Sequence, residues 1–394
     1  MTRSPAYDVD FYGDAFLADP DTHYRAMRDL GPVVWLPQYD AYAITRYADV
    51  REALRNDKIF ISGKGVLMAQ PANEAAAAGG SVLMMDGEPH KHMRKILAEP
   101  VSREAMAVLK PRVDAMAVEL LDRLLARGQF DGVADFAQFL PLMLVSRLVG
   151  LPEEGREKML DWAYGVFNMM GGFNDRFLAG MPLREESFAY LLNVKRENLA
   201  AGSWAARLFD FVDAGEVPEE AVRMHLDAYI TPALDTTINA TGSALWLLGQ
   251  NPGQWDAVRA DRSLIPAAID EAMRLESPIR AFSRYVARDC TVDGTPLPEG
   301  SRVLVVYASA NRDERFWENP DRFDVRRRAP QAHLAFGVGA HMCMGMHLAH
   351  LEMRCLFEAL ADRVKRFEVS QPSRQLHNVL RGLKHFHVTI TQIA

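Results

Sequence analysis

Cysteine is scarce in this chain of 394 residues, and its placement excludes whole classes of protein. The three cysteines are Cys290, Cys343 and Cys355. An odd, unclustered set does not build a disulfide framework and fits a reducing compartment. It also lacks the grouped cysteines that hold iron–sulfur clusters. Cys290 and Cys355 have no motif around them and are interpreted as structural, whereas the surroundings of Cys343 are distinctive.

A basic excess is missing as well. The formal net charge is -7, from 45 basic and 52 acidic residues. Because a protein that neutralises phosphates needs an excess of Lys and Arg on some face, this balance argues against binding to nucleic acid. The densest basic run is Arg326–Arg328, which we interpret as a solvated surface turn.

Long apolar runs are also lacking. The first residues, Met1–Asp8, have no apolar core of the kind found in a signal peptide. No uninterrupted apolar run approaches the roughly 20 residues that span a bilayer. These features predict a soluble, cytoplasmic protein with no membrane partner.

Hydrophobic periodicity predicts a mostly helical α+β fold with small sheets. Paired strands are expected early in the chain, at Val33–Leu36 and Ala41–Thr45. A helix is expected over Ser102–Arg127, which Pro111 should kink or break. The remaining predicted elements are helices over Thr22–Asp29, Ala48–Asn56, Phe136–Val149, Glu153–Phe167, Leu183–Leu199, Trp204–Ala214 and Pro218–Gly249, and strands over Arg284–Val292, Ser301–Ala310 and Phe386–Thr391.

The most informative segment is Phe336–Gly345, a glycine-punctuated loop around Cys343 that leads into the helix-forming run Met346–Met353. Its glycines allow a tight turn and the close approach of backbone to a flat ligand. Three interpretations are open: a small buried hydrophobe, a soft copper site with the neighbouring His and Met, or a thiolate ligand to heme iron. The glycine spacing and the following helix favour heme, because copper needs neither.

The loop matches the spacing Phe-x-x-Gly-x-x-x-Cys-x-Gly at Phe336, Gly339, Cys343 and Gly345, and here the chain resembles the cytochrome P450 family. The resemblance covers essentially the whole chain. It implies a single domain over residues 1–394, with a long central helix above heme b. It also implies that Cys343 is the iron ligand.

A second match to the family lies before the loop. The sequence Glu271-Ala-Met-Arg274 is a weak motif that would ordinarily be a surface ion pair. It is followed some forty residues later by Trp317-Glu-Asn-Pro-Asp-Arg322-Phe. The resemblance implies that Glu271, Arg274 and Arg322 form a buried structural triad that fixes the cysteine loop.

Heme propionates require cations, and the resemblance assigns four residues to them: His90, Arg94, Arg284 and His341. His90 and Arg94 are four residues apart and therefore neighbours on one helix face. Arginine can bond a carboxylate through two parallel hydrogen bonds. Each of the four taken singly could be an ordinary surface charge, but together they supply the expected complement.

Asp235 and Thr236 lie inside a long apolar helical stretch, where such residues are poor helix formers. Local back-bonding of the hydroxyl is one explanation. The resemblance implies the other, an acid–alcohol pair in which Thr236 hydrogen-bonds iron-bound dioxygen and Asp235 relays protons. The family's preceding Ala-Gly is replaced by Pro232-Ala233. Because proline lacks an N–H and clashes with the carbonyl of Ala228, we hypothesise that Pro232 opens the oxygen groove by a different route.

Electrons must come from outside the chain. It has no Gly-x-Gly-x-x-Gly dinucleotide fingerprint and no iron–sulfur cysteine set. The expected donor is a small acidic ferredoxin served by a flavin reductase. The candidate docking residues, which could equally be solvated helix charges, are Lys91, Lys95, Arg103 and Arg112.

The segments that line the substrate side in the family are rich in Met and Phe, which suits a small aromatic substrate because methionine contacts aromatic rings favourably. Some of these residues could instead be ordinary core. The predicted pocket residues are Phe167, Met170, Phe173, Tyr229, Ala233, Ile279 and Phe282.

Four short segments are similar in sequence to a bacterial group of the family that oxidises small aromatic acids and methoxylated aromatics. These segments are Leu234–Asn239, Glu276–Pro278, Ser309–Asp313 and Leu380–Leu383. This similarity implies a monooxygenase that uses O2 for oxidative O-demethylation of an aryl methyl ether, with loss of formaldehyde. Alternatives are oxidation of para-substituted benzoic acids or of a terpenoid-like molecule. A peroxide-driven peroxygenase is less favoured because it usually lacks the acid–alcohol pair, and a heme sensor is the non-enzyme alternative.

A benzoate substrate would need a cation in the pocket. The segment Asp227–Tyr229, ahead of the acid–alcohol pair, is not basic, and Arg280 is the remaining candidate. We therefore expect a neutral or phenolic methoxyarene.

Overall fold

The computed structural model describes residues 4–393. Sixteen α-helices lie within these residues: α1 (Asp14–Ala18), α2 (Pro20–Leu30), α3 (Tyr47–Arg55), α4 (Gln70–Ala78), α5 (Gly87–Ala98), α6 (Arg103–Arg127), α7 (Phe139–Val149), α8 (Met159–Met169), α9 (Asp175–Leu192), α10 (Trp204–Asp213), α11 (Val222–Ile230), α12 (Asp235–Gln250), α13 (Pro252–Ala260), α14 (Ile265–Leu275), α15 (Tyr307–Ala310) and α16 (Met346–Arg363). The strands in the same residues are β1 (Val33–Leu36), β2 (Ala41–Ile44), β3 (Phe60–Ile61), β4 (Gln129–Asp131), β5 (Phe282–Val286), β6 (Cys290–Val292), β7 (Thr295–Leu297), β8 (Arg302–Val305), β9 (Val364–Arg374) and β10 (Leu383–Ile393).

The largest apolar core lies between helices of the second half of the chain and α6. Helix α16 packs against α6 and α14, and α12 packs against α14. Leu121, Leu245 and Leu356 are fully buried in this core. Each fully buried aliphatic side chain stabilises the fold by about 1.5–3 kcal/mol. The core therefore holds rigidly the two helices that flank the cysteine loop in sequence, α14 before it and α16 after it.

Small sheets accompany the helices, and one of them contributes Phe130, Phe367 and Phe386 to the main core. One has the strand order β1-β2-β8-β5-β3, and a second has the order β4-β10-β9. Strands β6 and β7 form a separate antiparallel pair. The predicted pairing of the first two strands is confirmed, with Val33 opposite Ile44. Strand β9, which directly follows α16, was not predicted.

Helix α6 runs without interruption through Pro111, so the predicted break does not occur. Pro111 and Ala107, whose carbonyl would have accepted the missing N–H, are both exposed. Water can satisfy that carbonyl, which makes the proline tolerable at this position.

The predicted single helix over Pro218–Gly249 is wrong. Helix α11 ends at Ile230, a 3₁₀ turn covers Thr231–Ala233, and α12 begins only at Asp235. Leu234 between them has φ -90° and ψ -83°, outside the helical region. Because Pro232 cannot donate a backbone hydrogen bond and its ring clashes with the preceding turn, the helix divides here.

The segment Gly132–Val149 is long and apolar enough to cross a membrane by length and composition, with a mean hydropathy of 1.4. The prediction that no such stretch exists therefore fails on length. However, 56% of the segment is buried inside the protein. Leu140, Leu144 and Val145 belong to the main core, which is the ordinary reason for an apolar helix of this kind.

Helices α8 and α9 approach closely because glycines face each other. A Cβ on Gly180 would lie 2.4 Å from the carbonyl oxygen of Gly165. A Cβ on Gly165 would lie 2.7 Å from Cβ of Leu183. Neither helix can carry a larger residue at these positions without moving away from the other.

We expect Gly180→Ala to lower the free energy of unfolding by about 1–3 kcal/mol, because the added methyl overpacks a backbone contact. Gly253→Ala is the matched control, since a Cβ there meets nothing within 4 Å. The control should be neutral or stabilising by up to about 1 kcal/mol. Urea unfolding of both variants measures the difference, and equal effects would contradict the close approach of the two helices.

Candidate active site

The cysteine loop is a closed turn. Gly337 and Gly339 have φ of 67° and 85°, values that favour glycine. A Cβ on Gly339 would lie 2.6 Å from the carbonyl oxygen of Leu54, so the loop also presses against α3. The N–H of Cys343 donates to the carbonyl of Phe336 at 2.7 Å, which closes the turn. The predicted tight turn is thus present, whereas the close approach of this backbone to a flat ligand stays a prediction.

The sulfur of Cys343 lies at the beginning of α16. The backbone N–H groups of Gly345 and Met346 donate to it. Burial raises the pKa of the thiol, whereas these amides and the guanidinium of Arg94 act in the opposite direction. Oriented amides at a helix N-terminus favour negative charge. The sulfur is thus deep in the protein yet open to an internal cavity, with donors placed to stabilise a thiolate.

The cavity above the sulfur has a volume of about 290 Å³ and is lined mainly by apolar side chains. Its floor includes Cys343 and Gly345, and its far side includes residues of α8, α10 and α11. Helix α12 contributes Thr236, Thr237 and Ala240 to one wall. The cavity joins the cysteine loop to the broken central helix.

Three of the four predicted propionate ligands face this cavity: Arg94, Arg284 and His341. Arg94 also donates to the carbonyl of Met342, and Arg284 donates to the carbonyl of Ser283 at 2.8 Å. Nε2 of His341 is buried and makes no hydrogen bond within the described residues, and its nearest acidic oxygen is Oδ1 of Asp86 at 3.7 Å. A buried polar atom without a partner costs free energy, so a ligand acceptor at this position would relieve it.

His90, the fourth predicted ligand, lies behind His341. It is buried, and the two rings stack with centroids 4.1 Å apart. Burial, together with the nearby His341 and Arg94, lowers the pKa of His90 to about 4, so the ring is neutral at pH 7. Because it does not appear among the cavity walls, its direct contact with a propionate stays a prediction.

The buried ionic triad is present, but its third member is Arg327. Glu271 and Arg274 are fully buried, and Arg274 donates two hydrogen bonds to the carboxylate of Glu271, at 2.7 and 2.9 Å. Nε of Arg327 donates to both oxygens of Glu271, at 2.8 and 2.9 Å.

The prediction of Arg322 as the third triad member is wrong. Its side chain is exposed, and only its carbonyl takes part, accepting from Arg274 at 3.3 Å and from Arg327 at 2.9 Å. The chain turns after Phe323, so that Arg327, four positions later, returns to Glu271. The basic run Arg326–Arg328, interpreted from sequence as a surface turn, contained the missing signal.

Thr236 and Asp235 occupy different sides of α12 at its first turn. Thr236 lines the cavity, and its hydroxyl donates to the carbonyl of Pro232 at 2.6 Å. Asp235 is buried, and its Oδ2 has no hydrogen-bond partner among the described residues. Burial, reinforced by the charge of Asp161, raises the pKa of Asp235 to about 7. The carboxyl can therefore both hold and release a proton near neutral pH.

Six of the seven predicted pocket residues line the cavity: Phe167, Met170, Tyr229, Ala233, Ile279 and Phe282. The hydroxyl of Tyr229 donates to the carbonyl of Leu97 at 3.1 Å.

The prediction is wrong for Phe173, whose side chain is 70% exposed. Its ring packs on Phe177 with centroids 5.0 Å apart, because the turn after α8 carries it outward.

The candidate cation Arg280 does not face the cavity. Its side chain is buried, lies 5.1 Å from the ring of Phe11, and donates to the hydroxyl of Tyr24 at 3.3 Å. Sequence reasoning missed other residues that line the cavity, among them Trp204, Met224 and Thr231, and it noted Asp227 only as not basic. For Trp204 and Met224, the helical spacing of α10 and α11 gave no indication of which face would point inward.

Comparison with known proteins decides the family. A family model described as Cytochrome P450 matches residues 205–392. Cytochrome p450 CYP199A2 of Rhodopseudomonas palustris is 34% identical over 98% of this chain and 95% of its own. This chain belongs to the cytochrome P450 family. Cyclomarin C epoxidase CymV of Salinispora arenicola is 30% identical over 94% of each chain.

A solved structure shows the same P450 fold. The P450 heme domain of Tepidiphilus thermophilus superimposes with a TM-score of 0.84 at 27% identity, covering 97% of this chain and 96% of that one. The predicted P450 fold is thus confirmed, with helices predominating and small sheets beside them. The protein is a P450 monooxygenase and its cofactor is heme b.

The residues around the cavity fit that cofactor. Heme needs an axial ligand, two positive or hydrogen-bonding partners for its propionates and an apolar envelope. Cys343 offers the thiolate, and the cations Arg94 and Arg284 face the same cavity. The unpartnered Nε2 of His341 is a further donor for a carboxylate.

The corrected triad gives a direct test. Arg327→Leu should lower the free energy of unfolding by about 3 kcal/mol, because it removes one partner of a fully buried carboxylate. Arg322→Leu is the matched control and should change stability by less than about 0.5 kcal/mol, since only its carbonyl takes part. Urea unfolding and heme content of both proteins measure the effect. A larger loss in Arg322→Leu would restore the original assignment.

The raised pKa of Asp235 has a consequence for stability. Between its ordinary value of 3.8 and about 7, the folded protein holds a proton that the unfolded chain releases, so this residue lowers stability as pH rises through that window. Asp235→Asn should gain stability relative to the parent from pH 4 to pH 8, by up to about 4 kcal/mol. Unfolding at several pH values measures the gain. Exposed Glu220→Gln is the control, and parallel curves for Asp235→Asn and the parent would contradict the prediction.

Proposed function

We propose that this P450 carries out oxidative O-demethylation of a small, phenolic or neutral methoxylated aromatic. The balanced reaction takes ArOCH3, O2, two electrons and two protons to ArOH, formaldehyde and water. One oxygen atom is inserted into a methyl C–H bond, and the resulting hemiacetal ArOCH2OH loses formaldehyde. The observation that carries the proposal is the single cavity that joins Cys343 to a small apolar chamber with aromatic walls.

When bound, heme supplies the iron at which dioxygen is activated with two electrons. Cys343 would hold its iron, and Arg94, Arg284 and His341 would hold its propionates. The amides of Gly345 and Met346 would then share the negative charge of the sulfur. These hydrogen bonds tune how strongly the thiolate donates electron density to iron.

Thr236 and Asp235 are assigned to proton delivery. The hydroxyl of Thr236 faces the cavity and is already anchored on the carbonyl of Pro232, so its oxygen retains lone pairs for a second hydrogen bond. Asp235 has the adjacent position and a pKa of about 7, the range in which general acid catalysis is efficient. The division of the helix at Pro232 supports the hypothesis that this proline provides the opening found in other members with Ala-Gly.

The walls of the cavity support an aromatic substrate. Phe167 and Phe282 are on its lining, with Met170 between the same elements. Aromatic rings bind well in apolar, aromatic surroundings, and methionine adapts its shape to them. Heme would share this cavity with the substrate, so the proposal takes a small, single-ring molecule as the substrate.

Benzoates and terpenoid-like molecules are less favoured. A benzoate requires a cation away from the propionates, and Arg280 is turned toward Tyr24 and Asn378 instead. A terpenoid would fit apolar walls equally well but would not need the aromatic ones. The peroxygenase and heme-sensor alternatives do not account for a buried acid beside Thr236.

Electrons are proposed to come from a ferredoxin and its flavin reductase in the cytoplasm. The four predicted docking cations are exposed: Lys91, Lys95, Arg103 and Arg112. Lys91 and Lys95 lie on α5, the helix that also carries Arg94 toward the cavity. Arg103 and Arg112 lie in the first half of α6. An acidic partner would be attracted to this group over a distance of about 10 Å at moderate ionic strength.

Turnover of 4-methoxyphenol with NADH, a ferredoxin and its reductase tests the proposal. We expect one formaldehyde and one hydroquinone per substrate consumed, and a red-shifted Soret band when the reduced protein binds carbon monoxide. Cys343→Ser should lose both, whereas Cys290→Ser, outside the cavity, should retain them. Normal absorbance with no formaldehyde from any methoxyarene would refute demethylation, and absence of the red shift would refute the thiolate assignment.

A further inference from the structure

The cavity contains one acidic side chain among its described walls, Asp227 on α11. The charged residues elsewhere on the lining are Arg94, Arg284 and His341. Arg94 and His341 contact the cysteine loop or belong to it, and all three are assigned to heme carboxylates. Asp227 belongs instead to α11, which packs against α7 and α9, and Ala228 and Tyr229 lie beside it on the lining. The charge that the cavity meets on α11 is therefore opposite in sign to the charges near the cysteine loop.

Asp227 is held in a fixed orientation. Its Oδ1 accepts a hydrogen bond from the hydroxyl of Thr231 at 2.7 Å, and its Oδ2 accepts one from Nη1 of Arg184 at 3.2 Å. A carboxylate offers about four acceptor positions, so these two bonds leave others available. The side chain is 12% exposed, and this remaining surface is where it can meet a ligand.

Arg184 supports Asp227 from behind without reaching the cavity. It lies on α9, and its guanidinium lies 3.6 Å from the ring centre of Phe188, on which Arg223 also stacks at 5.1 Å. Burial lowers the pKa of Arg184 and Asp227 opposes that effect. Since Arg184 is not on the cavity lining, a carboxylate inside the cavity would meet Asp227 before it could meet the arginine.

The position of Asp227 along the chain sets what it can contact. It precedes Thr236 by nine residues, and the break over residues 231–234 places the two on different helices, Asp227 on α11 and Thr236 on α12. Thr236 marks the part of the cavity where oxidation takes place under the proposed function. We therefore assign Asp227 to the part of a bound substrate away from the methyl group that reacts.

We propose that Asp227 determines substrate choice by accepting a hydrogen bond from a donor group, such as a phenolic hydroxyl, at the far end of the methoxyarene. The inference rests on the proposed function and deepens it. A substrate carboxylate is rejected at the same position, because like charges in a poorly hydrated site repel. A ligand without a donor loses the charge-assisted hydrogen bond but suffers no repulsion.

Optical titration of the ferric, heme-loaded protein measures this preference without turnover. The ligands are 4-methoxyphenol, 1,4-dimethoxybenzene, which lacks the donor, and 4-methoxybenzoate. We expect the phenol to bind about 10- to 100-fold more tightly than the diether, and the benzoate to bind more weakly than both. In Asp227→Asn the advantage of the phenol over the diether should fall below about 5-fold, and benzoate binding should improve.

Glu185→Gln is the matched control, because it removes an exposed acid from the same helix as Arg184. It should leave all three dissociation constants unchanged. If Asp227→Asn keeps the parent's ratios, the Asp227–Arg184 pair only ties α11 to α9 and the inference is wrong. Tight benzoate binding in the parent, lost in Arg184→Gln, would also overturn it.

Two further outcomes keep the test decisive. If Asp227→Asn does not incorporate heme, the ligand series in the parent still judges the inference, since equal binding of phenol and diether refutes it. If the phenol is preferred but no formaldehyde forms in turnover, the proposed reaction fails while the role of Asp227 in binding stands.

Discussion

The site depends on a buried ionic contact between α14 and the segment that precedes the cysteine loop. Glu271 is fully buried and receives hydrogen bonds from Arg274 and Arg327. Arg274 also donates to the carbonyls of Asn311 and Pro320. A buried charge is costly unless it is paired and all of its hydrogen bonds are made. The chain between Asn311 and Arg327 is consequently forced into one path, and that path delivers the loop around Cys343 to the end of the cavity.

Because the loop is fixed, the charged groups that line the cavity have fixed positions and are distributed unevenly. Amides, Arg94 and His341 surround the sulfur at one end, where the anionic thiolate and the propionates require donors. The rest of the described lining is mainly apolar and has a single acid, Asp227 on α11. A carboxylate-bearing substrate would find no cation at that end, because Arg280 is committed to Tyr24 and the carbonyl of Asn378. The charge distribution, more than the volume, narrows the choice of substrate.

The sequence predicted best what is encoded locally. The loop around Cys343, the pair Glu271 and Arg274, and the cavity-facing Thr236 depend on spacing within one turn or one loop, and all lie where expected. The predictions for Arg322 and Phe173 were wrong because the direction of these side chains is set by the path of an irregular turn. The side-chain partners of Asp227 and Arg327 were not predicted either, since they are 43 and 56 residues away in sequence. Propensity reasoning also left out the effect of solvent: water can satisfy the exposed carbonyl of Ala107, so Pro111 is tolerated within α6.

The division of the central helix at Pro232 links the geometry of the acid–alcohol pair to its protonation. Because α12 begins at Asp235, this carboxyl is at a helix N-terminus, where the helix dipole favours the ionised form by about 0.3–2 kcal/mol. Its pKa is nevertheless raised to about 7, so burial and the charge of Asp161 outweigh the dipole. In an unbroken helix Asp235 would lack the dipole contribution, and its pKa would be higher still. The break therefore leaves the carbonyl of Pro232 available to anchor Thr236 and, at the same time, keeps the neighbouring acid able to lose its proton near neutral pH.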